Sequence, residues 1–332
     1  MIHVLGCGPL NTVQDLGRAG YRNIGVTATG AMDPIALKVG NILVGNDEDA
    51  AGIEIQTFPF RIEFEQALVF ALTGADCAAR LDGQDLPPWW CMRAEPGQVL
   101  ELSTPLKNAR AYLFLQGGID VPLVMGSRST SLRGSFGGHE GRPLAVGDIL
   151  SVMAGTTISP PINGFGVVPP AQAMPDMFPV TETGDLILRA IPAGEHDLFG
   201  DDADRFWSQT WKITSQSDRT GYRLAGAPLQ LSAPVELRSY GIIPGIIQVP
   251  PSGEPIIQMS DANTAGGYPK MAGVIDGDLW RLGQARIGSR ISFRQSSLSE
   301  AREVEKAIDA YIDDIRQTLP LVANALSAMT KR

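Results

Sequence analysis

Apolar residues recur along most of this chain in short runs with a period of two, cut by glycine and proline. Phe60, Ile62 and Phe64 alternate with polar neighbours; Val99, Leu100 and Leu102 make a similar run, and so do Tyr112 and Phe114. That period marks strands with one buried face, so the chain reads as mainly β with some α. Turn glycines lead into several runs: Gly97 into Val99–Leu102, Gly147 into Ile149–Val152, Gly288 into Ile291–Phe293. These units resemble one another too weakly to establish a duplication. Ile246, Ile247 and Val249 are followed, across a Pro-Ser-Gly turn, by Ile256, Ile257 and Met259, the pattern of a hairpin.

Two stretches carry a helical period instead. Asp33-Pro34 reads as an N-cap with proline at the first helical position; Ile35, Val39 and Ile42 share a face, and Gly45 is the stop. Near the C-terminus Ser297 and Glu300 form a capping box, and Ala301, Val304, Ile308, Tyr311, Ile312 and Ile315 follow at three or four residues. This helix is predicted to end near Pro320 and to dock on the second of two domains, because its stripe would otherwise face water. Residues 159–179, rich in Pro, Gly and Ala, read as the linker between domains 1–158 and 180–332.

Composition narrows the function. The chain has 332 residues, 44% hydrophobic and 19% charged, as in ordinary globular proteins. A net charge of -9 with no basic run argues against binding nucleic acid. Cys7, Cys77 and Cys91 form no paired framework, and His3, His139 and His196 form no metal motif, so a reducing compartment and no metal are expected. The opening MIHVLGCGPL lacks a signal-peptide pattern and no run reaches the ~18 apolar residues of a membrane span. The expected location is the cytoplasm, with no membrane partner.

Candidate chemistry concentrates between Gln248 and Lys270. Asp261, Asn263 and Thr264 precede Gly266-Gly267, and Tyr268, Pro269 and Lys270 follow, which gathers a carboxylate, amide, hydroxyl, phenol and ammonium around a backbone without Cβ atoms. On the residues alone two readings stand: a ligand site with Asp261 as base and Lys270 as positive charge, or a Gly-Gly turn capped by Asp261 and Thr264. Arg128 beside Ser129, and Arg219 beside Asp218, can grip a carboxylate or phosphate, or tie loops together. Asp15 and Arg18 read as structural, His139 as a passive histidine in a glycine-rich turn, and the tryptophans as core or interface residues. No phosphate-loop, dinucleotide or nucleophile-elbow motif occurs, and no Met-Lys-Met biotinylation site.

The segment from Gln248 to Lys270, with Trp280, Arg281, Leu282 and Gln284 after it, resembles the signature of the 5-oxoprolinase C-subunit family, also called allophanate hydrolase subunit 2 or the biotin-dependent carboxyltransferase-like family. Further blocks follow the family's order: TVQDLGRAGYRNIGV with GAMD and VGN, then GGIDVPLVMGSRST with GGHEGRPL, then SQSDRTGYRLAG. The chain departs from the pattern where Ala193-Gly194-Glu195 follows the Arg189 strand, and at Phe58-Pro59-Phe60. The resemblance implies two cyclophilin-like β-barrel domains plus the long C-terminal helix. It implies one component of an ATP-dependent enzyme that opens 5-oxo-L-proline to L-glutamate, working with a B-type family partner and an A-type component, the ATP site being shared with the partner. Asp261, Asn263, Thr264 and Lys270 would then be catalytic; Arg128, Ser129, Asp218, Arg219, Gln248, Gly266, Gly267 and Tyr268 would bind the small-molecule substrate. Two alternatives accompany it: a carboxyltransferase-type component using biotin and acting on urea or a related amide, and a non-catalytic regulator that pairs with a kinase-inhibitor-like protein.

Overall fold

The computed structural model describes residues 1–155 and 158–329. The last residues of the expected second domain, 330–332, lie outside them. The chain divides into two compact units: Met1–Arg18 with Thr29–Pro169 and 309–332, and Ala19–Ala28 with 170–308. Both are mainly β.

The first unit is made of strands β1 (Ile2–Gly6), β2 (Thr12–Gln14), β3 (Gly52–Ile55), β4 (Phe60–Phe64), β5 (Leu68–Asp76), β6 (Arg80–Leu81), β7 (Gln84–Asp85), β8 (Trp90–Ala94), β9 (Val99–Leu102), β10 (Lys107–Leu115), β11 (Ile149–Leu150) and β12 (Phe165–Gly166). They form two six-stranded sheets, in the orders β11-β1-β4-β9-β6-β7 and β12-β8-β5-β10-β3-β2. Ile2, Phe60, Ile62 and Phe64 from one sheet and Ile53, Phe70, Leu72 and Leu113 from the other fill a common core, which is why the alternating runs were legible. Strand β5 is instead buried almost throughout, because helix α1 (Pro34–Leu43) also packs on it. Asp33 caps that helix as expected, its carboxylate accepting from the Ala36 N–H at 2.9 Å. A methyl on Gly40 would sit 2.1 Å from the Phe114 ring, so only glycine lets helix and sheet approach this closely.

The second unit is built on a closed barrel, β13 (Leu186–Pro192), β20 (Lys270–Val274), β17 (Ile246–Gln248), β18 (Ile256–Gln258), β15 (Gly221–Ala225), β14 (Trp211–Ile213) and β21 (Arg290–Gln295), numbered along the chain and named in the order in which they pair around the barrel. The parallel pairing of β13 with β21, Leu186 opposite Ile291, closes it and leaves no open edge. A separate two-stranded ribbon joins β16 (Tyr240–Gly241) to β19 (Ala265–Gly266), with Tyr240 opposite Gly266. Helices α2 (Pro170–Ala173) and α3 (Asp201–Ser208) precede the ribbon, and α4 (Asp276–Gly283) follows β20. Asp278 on α4 receives the Arg189 guanidinium at 2.9 and 2.7 Å and that of Arg281 at 3.3 Å, all three residues being buried, so this part of the family-like signature fastens α4 to the barrel wall.

Helix α5 (Leu298–Met329) starts as the capping box indicates, Ser297 Oγ accepting from the Glu300 N–H at 3.1 Å. It packs Val304 and Ile308 against Gly277 of α4. Its expected end near Pro320 is corrected: the helix continues through that proline. A proline removes one donor from the ladder and strains the turn before it, and a helix of this length can carry that cost.

Candidate functional site

The Gln248–Lys270 segment contains barrel strand β18, the last residue of β17, the first of β20 and the ribbon's second strand, so its polar residues fall in an ordered framework. In the barrel wall, Ile247, Ile257 and Ala272 are in register and fully buried. Alternation turns Gln248 to the other face, and an irregularity in the β17–β20 register between Ile247 and Gln248 sets Lys270 opposite it. There Lys270 is 2% exposed, Gln248 4% and Gln258 5%, a stripe of polar side chains as buried as the core. Gly266 of the ribbon lies against it: a methyl there would come within 2.7 Å of Gln248 Nε2.

Lys270 donates from Nζ to the Gly266 carbonyl at 3.1 Å, and the ammonium lies 3.2 Å from the centre of the Tyr240 ring. Burial pushes its pKa below the ordinary lysine value, and nearby Glu195 partly offsets this. Glu195 ties the arrangement together. It accepts from the Tyr240 hydroxyl at 2.5 Å and from the Lys270 backbone N–H at 3.2 Å. The Tyr240 hydroxyl is correspondingly harder to ionise, first through burial and then through Glu195. Such a desolvated ammonium is suited to negative charge developing on a ligand oxygen.

The remaining residues singled out from sequence distribute as follows. Asp261 does not stand opposite Lys270 as an open base; it pairs fork to fork with Arg219, at 3.1 and 3.0 Å. Asp218, beside Arg219 in sequence, accepts instead from the Thr220 and Gly221 N–H groups at 2.7 and 3.1 Å. Asn263 is exposed, and Tyr268 is too. The Thr264 carbonyl accepts from Ile242 N–H at 3.2 Å, and Gly267 packs near Ser239. Arg128 and Ser129 belong to the first unit. There Arg128 Nε donates to the Val121 carbonyl at 3.0 Å, and the Ser129 hydroxyl to the buried Asp15 carboxylate at 2.5 Å. Asp15 also accepts from Gly17 N–H and Ser127 Oγ, and buried Arg18 donates to Ser129 O and Thr29 Oγ1, the structural role expected of that pair.

Sequence reasoning passed over Tyr240, Glu195, Gln258 and Arg22. Arg22 belongs to the second unit and donates from Nη2 to the carbonyls of Ile242 and Asn263, flanking the ribbon. Its Nη1 is buried and has no hydrogen-bond partner among the described residues, and burial lowers its pKa. Glu195 had one visible signal, its place in the departure after Arg189. A cavity of about 430 Å³ in the first unit, bordered by Ile42, Phe165, Arg316 and Leu319, is lined by none of the candidate catalytic or substrate-binding residues.

A mainly β chain with this barrel and these signature segments belongs to the family described as carboxyltransferase domain, subdomain A and B, whose model matches residues 24–295. The chain is 39% identical over 318 residues to the 5-oxoprolinase C subunit of Haemophilus influenzae, covering 96% of this chain and 98% of that protein. It is equally 39% identical over 320 residues to the 5-oxoprolinase C subunit of Escherichia coli K12, covering 95% and 97%. The crystal structure of the K. lactis urea amidolyase matches with a TM-score of 0.84 at 28% identity; the match covers 95% of this chain and 20% of that one, so the chain spans about a fifth of the larger enzyme. No helix among the described residues is long and apolar enough to cross a membrane.

Proposed function

We propose that the chain is one component of an ATP-dependent 5-oxoprolinase, which opens the lactam of 5-oxo-L-proline to L-glutamate together with a B-type family partner and an A-type component. One observation carries this reading: the chain matches two proteins named as C subunits of 5-oxoprolinase over 98% and 97% of their own lengths. A lactam carbonyl is a poor electrophile, so opening it calls for stabilisation of charge on its oxygen. Lys270 supplies that, its ammonium held by Gly266 O and the Tyr240 face. Arg22 takes the substrate carboxylate with Nη1, which has no hydrogen-bond partner among the described residues. Asn263 and Thr264 orient the ring, and the Arg219–Asp261 pair fixes the loop that presents them.

These residues fit a carboxylate together with a carbonyl or a single phosphoryl oxygen. The sequence has no phosphate loop of the familiar kind. In this reading ATP supplies the energy that activates the lactam, and its site is shared with the partner. The test is reconstitution. Glutamate formation from 5-oxo-L-proline and ATP is expected when the chain is combined with its partners, and little with any component alone; equal turnover by the partners without this chain would refute the reading.

The match to the urea amidolyase structure favours a second reading, a carboxyltransferase-type component acting on urea or a related amide, with biotin borne by another protein. Recovery of a biotinylated partner with the tagged chain would put this reading first.

A further inference from the structure

The stripe behind the ribbon contains an acceptor with nothing to accept. Gln258 Nε2 donates to Gln248 Oε1 at 3.1 Å, and Gln248 Nε2 in turn points at the Tyr268 carbonyl at 3.4 Å. The Tyr268 carbonyl can only accept, so the orientation of both amides is set by the chain of bonds. Gln258 Oε1 is left over: it is buried and has no hydrogen-bond partner among the described residues. A neutral amide oxygen removed from water without a donor is a standing cost. Leu or Met at this position would avoid it, as the apolar residues on either side, Ile257 and Met259, do while buried just as fully.

We propose that Gln258 recognises the amide N–H of the substrate. This rests on the proposed lactam-opening function and adds to it the residue that distinguishes a cyclic amide from rings of the same shape. A lactam offers one N–H beside its carbonyl. With the carbonyl oxygen directed to the Lys270 ammonium, the N–H meets the Gln258 oxygen, which the Gln248 amide leaves over by taking the Gln258 Nε2 donor. The ribbon that places Gly266 against Gln248 has to lift for the substrate to enter. Its two strands pair at Tyr240 with Gly266 and Gly241 with Ala265, and contacts from Lys270, Glu195 and Arg22 have to yield with it. A site built to pair with an N–H rejects an analogue without one, because the acceptor then stays buried and unpaired.

The experiment compares 5-oxo-L-proline with 3-oxocyclopentane-1-carboxylate, in which a CH2 replaces the ring N–H, by calorimetric titration of the assembled wild-type complex and of the complex carrying Gln258→Met. The wild type is expected to bind the lactam at least about tenfold more tightly than the carbocycle, and the variant to bind the two within about twofold. Retained discrimination in Gln258→Met overturns the inference while leaving the lactam-opening function standing. Equal binding of both ligands by the wild type overturns it without any variant, which covers the case that Gln258→Met fails to fold. Absence of lactam binding by a wild-type complex that assembles overturns the functional reading and this inference with it.

Discussion

The Lys270 ammonium sits 3.2 Å from the centre of the Tyr240 ring, and Glu195 holds the two together by accepting from the Tyr240 hydroxyl and the Lys270 backbone. The ring face and the hydroxyl do separable things. Tyr240→Phe keeps the face and loses the tether, so turnover of the assembled complex should fall only a few-fold. Tyr240→Leu removes the face, worth about 1–2 kcal/mol for a desolvated cation, and should cost roughly tenfold. Equal losses in the two variants would show that the tether alone matters.

Arg219 and Asp261 form a bidentate pair with side chains 5% and 12% exposed. Removing one partner takes the counter-charge from the other in a buried setting, so Arg219→Ala and Asp261→Ala should each destabilise by roughly 2–4 kcal/mol. The double variant should cost clearly less than the sum. Urea unfolding of the four proteins measures the coupling; additive losses would mean that the residues act independently and would return Asp261 to consideration as a base.

Asp148 carries a separate acid-sensitive contribution in the first unit. Hydrogen bonding from Arg142 outweighs burial and lowers its pKa to about 2. A carboxyl depressed on folding contributes stability above its ordinary range and loses it as pH falls through the folded value. The gain, roughly 1–2 kcal/mol after allowance for solvent screening, should be present at pH 6 and should drain away between about pH 4 and pH 2. The stability gap between wild type and Asp148→Asn should therefore close over that window, and a gap independent of pH would contradict the assignment.

Arg22 is predicted to hold the substrate carboxylate. Arg22→Met should raise the KM for 5-oxo-L-proline about tenfold or more, in line with loss of a charge-assisted bond. It should leave the weak binding of 2-pyrrolidinone, which has no carboxylate, unchanged. Equal weakening of both ligands would reduce Arg22 to a support for the ribbon through Ile242 and Asn263.

What the sequence revealed was what neighbouring residues decide. The Asp33 cap, the Ser297 start of α5, the hairpin from Ile246 to Met259 and the alternating strands of the first unit depend on local chemistry, and each is present. The segment that would hold the site was legible as a concentration of reactive groups. Its internal pairing was not, because the decisive contacts span the chain: Lys270 meets Glu195 from 75 residues away, and Arg22 reaches Asn263 across 241. Adjacency in sequence misled at Asp218, which caps its own turn, while Arg219 found its carboxylate 42 positions on. Arg128 and Ser129 sit beside small residues because Asp15 binds the Ser129 hydroxyl and the neighbouring backbone. The first unit's core fills the space between two sheets, and the closed barrel of the second depends on a parallel β13–β21 pairing that no local pattern announces.

The most direct measurement is glutamate formation from 5-oxo-L-proline and ATP by the reconstituted complex, comparing wild type with Lys270→Ala and Lys270→Arg at equal complex formation, verified by size-exclusion chromatography. Lys270→Ala should lower turnover on the order of 10²-fold or more, the scale of losing one preorganised electrostatic donor. The planar guanidinium of Lys270→Arg cannot replace a compact ammonium between Gly266 O and the Tyr240 ring and should also lose most activity. Full turnover by an intact Lys270→Ala complex would contradict the account at its centre.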